Sequence, residues 1–251
     1  MINFKTYKMK KIITSAALLL VTACSIAQDN YTVKMNNNYT VKMNMKIEGL
    51  PPEYAGFGEQ EMVNYVKGDK YKNEISSMMM TSVSAFDGTK LTSITEQMGN
   101  KSGFTATKEE LDAADKNEKT TEAKPKIEYT TDKKTIAGYE CTKAVVTSIG
   151  KDKKENKMNV WVTEKIKSNQ AQGKKRGGRG MMMDLGDIKG YPLEMEMSQS
   201  QQGMDMKILI TATEVLTTPI DDATFTVSTE GYKMMSYKEM QEKMKAAKEE
   251  K

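Results

Sequence analysis

Glycine-centred turn signals punctuate residues 61–105 so closely that no crossover helix fits between them. Gly68-Asp69, Asp87-Gly88 and Gly99-Asn100 each separate β-like runs, at 61–67, 70–77, 81–86, 89–98 and 101–105. Two-residue turns of this composition join antiparallel neighbours, whereas parallel strands need connections of a dozen or more residues. The run is therefore an antiparallel meander, which excludes a βαβ fold.

A second meander follows, built around the longest β-hairpin in the chain at 136–166. Its first arm, 139–148, is rich in β-branched residues, and its second, 157–163, holds the only tryptophan. A charged stretch at 150–156 forms the loop between them. Ala137-Gly138 turns a short strand at 127–131 into this hairpin, and 192–200 pairs with 204–215 around Gln201, Gln202 and Gly203. Phe225 and Val227 suggest a last short strand. Alternation puts Leu193, Met195 and Met197 on one face of their strand, and Met204, Met206, Ile208 and Ile210 on one face of the next, with charged residues on the reverse.

Two helices are expected. Thr107 with Glu110 forms a capping box opening a helix near 108–118, whose one large apolar residue, Leu111, limits what it can bury. Ser236 with Glu239 opens another near 237–250, with a narrow stripe of Tyr237, Met240, Met244 and Ala247 that either docks on the sheet or frays.

The N-terminus reads as an export signal, with four lysines and then an apolar run over 12–23 that is too short to span a bilayer stably. Two processing chemistries compete. Ser25-Ile26-Ala27 before Gln28 suits signal peptidase, leaving a mature chain from 28. Val21-Thr22-Ala23-Cys24 resembles a lipobox, with residues 1–23 removed and Cys24 acylated. Taking the signal's four lysines from 38 basic residues leaves 34 against 34 acidic ones, so net charge gives no argument for nucleic acid. Either processing route leaves Cys141 as the one free thiol, so no intrachain disulfide is available.

The mature chain opens with NYTVKMN at 30–36, repeated at 38–44. One strand over 31–48 would be about 60 Å long, far beyond ordinary strands. One copy is therefore redundant, and Val41, Met43, Met45 and Ile47 form the buried stripe of the true first strand. The proline- and glycine-rich stretch 49–60 is expected to be an irregular mobile loop. Residues 115–126 form a charged linker, 167–180 a flexible polar loop containing both arginines, and 236–251 a charged tail. Residues 28–235 are expected to be a single curved sheet domain.

Histidine is absent, which removes the commonest general base and the commonest metal ligand together. Carboxylates are scattered over polar strand faces, and Cys141 lies in a β-rich run with no base to activate it. No catalytic residue, metal ligand or cofactor is expected. Gly173 to Gly180, GKKRGGRG, with the run from Lys174 to Gly180 as its basic part, lacks the order of a phosphate-binding loop and has no interleaved aromatics for base stacking, so it is expected to be a solvated loop. Methionine, with 22 copies, is the distinctive residue. Met-x-Met pairs put two polarizable thioethers on one strand face, which suits ordinary core filling, an adaptable apolar groove or, less well without histidine, copper(I).

EGLPPE, VKGDKYKNEISS, FDGTK, IAGYECTKAVV, WVTEKI and PIDDATFTVSTEGY, in this order, resemble a family of exported Bacteroidota proteins of unassigned function. That family is similar to the lipoprotein-carrier superfamily. The resemblance implies a strongly curved antiparallel sheet, an unclosed half-barrel with helices over its mouth, that binds acyl chains or other hydrophobic ligands. On this reading the protein is a non-enzymatic envelope protein, periplasmic or attached to the outer membrane, with no transmembrane span in its mature form. A lipid or acyl chain would lie on a concave face formed by Met43, Met45, Ile47, Met195, Met197, Met204, Met206, Ile208 and Ile210. The alternative is a structural or protein-interaction module with a filled core.

Export has a direct test. Intact mass of the protein from its host is expected to show loss of the first 27 residues, or loss of 23 with an acyl adduct on Cys24. A chain retaining Met1 or Met9 in the cytoplasm overturns the reading.

Overall fold

A computed structural model describes residues 38–117, 124–150, 155–166, 185, 187–201 and 204–249, all within one compact unit, Met35–Lys251. The export segment with Cys24, the first repeat copy, and the polar loop with Arg176 and Arg179 lie outside the described residues.

Among the described residues twelve strands form one unclosed sheet. The first meander runs β2 (Glu59–Lys67), β3 (Lys70–Ser76), β4 (Met80–Phe86), β5 (Lys90–Gln97) and β6 (Asn100–Thr107). The second runs β7 (Lys126–Ile136), β8 (Tyr139–Ile149), β9 (Glu155–Thr163), β10 (Tyr191–Gln201) and β11 (Met204–Leu216). β1 (Asn38–Glu48) stands between them, paired antiparallel with β2 on one side and β11 on the other. The opposite edges are β7 and β12 (Lys233–Ser236). Cα atoms of β7 approach those of β11 to within 8 Å although three strands separate them in the ladder, so this part of the sheet is rolled.

The turns show why the first meander is so regular. Gly68, at φ +61°, takes the first central position between paired Lys67 and Lys70, the place of glycine in a type II′ hairpin. At Asp87 the side chain does the work instead: Oδ1 accepts from the backbone N–H groups of Thr89 (2.8 Å) and Lys90 (2.9 Å). The next turn is centred one residue earlier than expected, on Met98 and Gly99, both at positive φ, because Gln97 pairs with Asn100. Ala137 and Gly138 make the same kind of turn between Ile136 and Tyr139.

Several expectations need correction. Residues 52–57 are not irregular: Pro52–Phe57 is a 3-10 turn, and Ile47 donates to Gly58 O at 2.7 Å to close the loop onto β1. β7 extends well beyond 131, because a bulge between Tyr129 and Lys133 absorbs two extra residues and pairing resumes beyond it. Phe225 and Val227 form no strand. Asp222–Phe225 is a 3-10 turn capped by Asp221, and the last strand is β12, which pairs parallel with β6, so the sheet is not purely antiparallel.

Both capping boxes form. Helix α1 (Lys108–Asn117) opens with Glu110 N donating to Thr107 Oγ1 and Thr107 N to Glu110 Oε2. Helix α2 (Tyr237–Glu249) opens in the same way with Ser236 and Glu239. Leu111 of α1, its one large apolar residue, is only 1% exposed, packed with Phe86, Leu91, Ala106 and Tyr237, which contributes about 1.5–3 kcal/mol. Tyr237 and Met240 dock α2 on the same cluster, whereas Met244 is exposed. Both helices thus pack on the sheet face whose parity carries Tyr39, Val66, Phe86 and Leu91.

β1 is built from the second copy of the repeat. Deleting residues 28–37 is therefore expected to preserve cooperative unfolding and change stability by less than about 1 kcal/mol in denaturant titration. Loss of cooperativity would show that the first copy belongs to the fold.

Candidate functional site

The register of β1 assembles the apolar face. Met45 lies beside Ile210, Ile210 beside Met195, and Met195 beside Val160; one step along, Ile47, Ile208, Met197 and Met158 form a second row. Because side chains alternate, these two rows share one face, and Val146 and Ile127 extend the second across β8 and β7. Parity in the sequence foresaw this alignment within the β10–β11 hairpin.

The rows differ in burial. Met43 (3% exposed), Met45 (2%), Met195 and Ile210 belong to the closed core with Tyr39, Val41 and Leu193. Ile47, Met197 and Ile208 are half-buried against that core. Toward the hairpin end Met206, half-buried, is partnered by Gln199, and Met204 stands at the register position of Gln201, so the face turns polar there. By register the nine positions have one parity; Met43, Met45, Met195 and Ile210 form a packed floor there, and Ile47, Met197, Met206 and Ile208 a half-buried shelf.

The reverse of the sheet is ionic. Lys134 of β7 sits 4.3 Å from the centre of the Trp161 ring and pairs with Glu194 of β10 at 2.5 Å, joining three strands. Thr211 Oγ1 donates to the other oxygen of Glu194 at 3.4 Å. Trp161 is thus a packing anchor, made more so by the cation over its face. The hydrogen bond and charge of Lys207 hold the Glu196 carboxyl below its ordinary range. All these groups are paired.

Cys141 is fully buried, its thiol donating to Tyr139 O at 3.5 Å, and burial pushes its pKa up to about 11. Burial likewise raises the Tyr191 phenol, whose ring meets Tyr39 edge-on at 5.5 Å. Among the described residues no group of three or more Cys, Asp or Glu side chains could hold a metal ion, and no helix is long and apolar enough to cross a membrane.

Sequence reasoning missed two amides on the apolar face. Gln60 pairs with Met45 and Asn64 with Val41, and both are buried. Alternation in β2 could have placed them, since Gln60, Met62, Asn64 and Val66 share a parity.

No family model matches the chain, and no curated protein does. Solved structures similar to it include PNGF-II, at 16% identity over 81% of this chain and 33% of that one, with a TM-score of 0.38. The chain thus spans about a third of PNGF-II. The Mycobacterium tuberculosis lipoprotein LppX matches at 10% identity over 76% of this chain and 95% of its own, TM-score 0.36. A LolA-superfamily protein from Nitrosomonas europaea matches at 10% identity over 76% and 91%, TM-score 0.29. These likenesses concern the run of the chain and say nothing of residues or ligand.

The raised thiol pKa sets reactivity and a pH dependence. Cys141 is expected to resist iodoacetamide at pH 8 until the protein unfolds. Because the folded state holds its thiol proton above the ordinary value of 9, this group's contribution to stability is intact below pH 9 and lost as pH rises toward 11. Thermal midpoints of wild type and Cys141→Ala across that window measure it.

Proposed function

We propose that this is a non-enzymatic protein of the cell envelope, exported to the periplasm or outer membrane, that holds a lipid or acyl chain on its apolar sheet face. The supporting observation is the half-buried row of Ile47, Ile208 and Met197, which runs without a charged residue across three strands over a closed floor of Met45, Ile210 and Met195. A flexible chain laid along the strip would exchange water for methylene and thioether contacts, each buried CH₂ contributing about 0.8 kcal/mol. Met43, Met45, Met195 and Ile210 support the strip; Ile47, Met197, Met206 and Ile208 touch the ligand, with Met204 at the end of the row.

A second reading, a structural module with a filled core, draws on the near-complete burial of Met43 and Met45. The two part on one experiment. Replacing Met197 and Met206 by lysine is expected to abolish uptake of a fluorescent fatty acid while the protein stays folded, since half-buried lysines can extend their heads to water. On the filled-core reading wild type takes up no probe and the double variant unfolds, because it buries unpaired charge.

A further inference from the structure

The apolar strip continues past β1 into a different surface. On the same parity, Asn64 of β2 lies beside Asn73 of β3, then Ser84 of β4 and Ser93 of β5. The adjacent row from Met62 runs through Ile75 to Ser82 and Thr95. Ser84 and Ser93 share a hydrogen bond of 2.8 Å, and Ser82 and Thr95 one of 3.1 Å. The strands carry no charge in this quadrant: every acidic or basic residue of β2–β6, from Glu59 to Lys101, has the opposite parity, as the paired Lys72 and Glu74 do. The first charge on this parity is Lys233, on the edge strand.

Two amides at the border are left short of partners. Gln60, 4% exposed, donates through Nε2 to Phe57 O at 3.1 Å, which fixes the orientation of its amide, since a flip would set two oxygens face to face. Its Oε1 is buried with no hydrogen-bond partner. Asn38 Oδ1 is the other such oxygen among the described residues, but it lies on the opposite parity of β1. Asn64, 7% exposed, donates through Nδ2 only to the Met43 thioether at 3.7 Å, a weak acceptor. A buried acceptor without a donor costs its full desolvation, and a stronger partner than a thioether is open to Asn64.

Resting on the reading of the apolar strip as an acyl site, we propose that this quadrant binds the uncharged, polyhydroxylated head of an amphiphile, a sugar-like head joined to the chain on the methionine rows. A hydroxyl can donate to Gln60 Oε1, and another can accept from Asn64 Nδ2. Gln60 and Asn64 stand about 13 Å apart along β2, four residues at strand rise, so one hydroxyl cannot serve both and a head with several can. An ionic head would be desolvated here with no countercharge.

The test is displacement of a fluorescent acyl probe from the full chain by three twelve-carbon amphiphiles below their micelle concentrations: dodecyl maltoside, dodecanoate and dodecyltrimethylammonium. The maltoside is expected to displace on the order of tenfold more tightly than either ion, the worth of one or two net hydrogen bonds. Gln60→Met or Asn64→Leu is expected to remove that preference while the probe still binds. Should Gln60→Met fail to fold because Phe57 O loses its donor, Asn64→Leu, which forfeits only a thioether contact, decides. Probe binding with no preference, with a preference for an ionic head, or with a preference that survives Asn64→Leu overturns the assignment of the head and leaves the acyl site standing. Absence of probe binding by wild type overturns both.

Discussion

The fold depends on the pairing of β1 with β11. Each meander could form from local turns, but each would end in an unpaired strand edge whose backbone groups need partners. β1 supplies them on both sides and makes two five-stranded meanders into one ladder. The junction is not a plain register. Lys42 pairs with Glu214 and Met43 with Ala212, so Thr213 is an extra residue in β11, and its hydroxyl donates to Lys42 O at 3.3 Å. The bulge keeps Val215 beside Val41 and Ile210 beside Met45, and without it one of those pairs would turn to the wrong face.

This junction also explains what the sequence could reveal. Strands joined by short turns were legible, because alternation, glycine positions and Asx chemistry act over a few residues; so were both capping boxes. The pairing of β1 with a strand about 165 residues away carried no local signal, and neither did the parallel addition of β12 to β6. Phe225 and Val227 alternate as a strand would, but Asp221 caps a 3-10 turn there. Leu111, the one large apolar residue of α1, suffices to anchor that short helix because it enters a pocket walled by Phe86, Leu91 and Tyr237.

The site was legible in the same uneven way. The methionine rows follow from parity within β10 and β11, and they met β1 as a continuous face. Which members form the closed floor and which the open shelf depended on rolling of the sheet, a tertiary property. Gln60 and Asn64 read as ordinary polar positions in an amphipathic strand until the β1–β2 register turned them toward Met45 and Val41.

Among the described residues the open sheet ends in two edge strands, and they differ in construction. β12 is four residues long and runs directly into α2, so it offers almost no length for another chain to extend. β7 is eleven residues long, but it carries Lys126, Glu128, Asp132 and Lys133 and is broken by its two-residue bulge. A foreign strand approaching β7 would meet an interrupted row of hydrogen-bonding groups flanked by charges of both signs. Neither edge thus offers a long, uncharged, unbroken template, so the sheet can stay unclosed while resisting edge-to-edge pairing with another copy of itself.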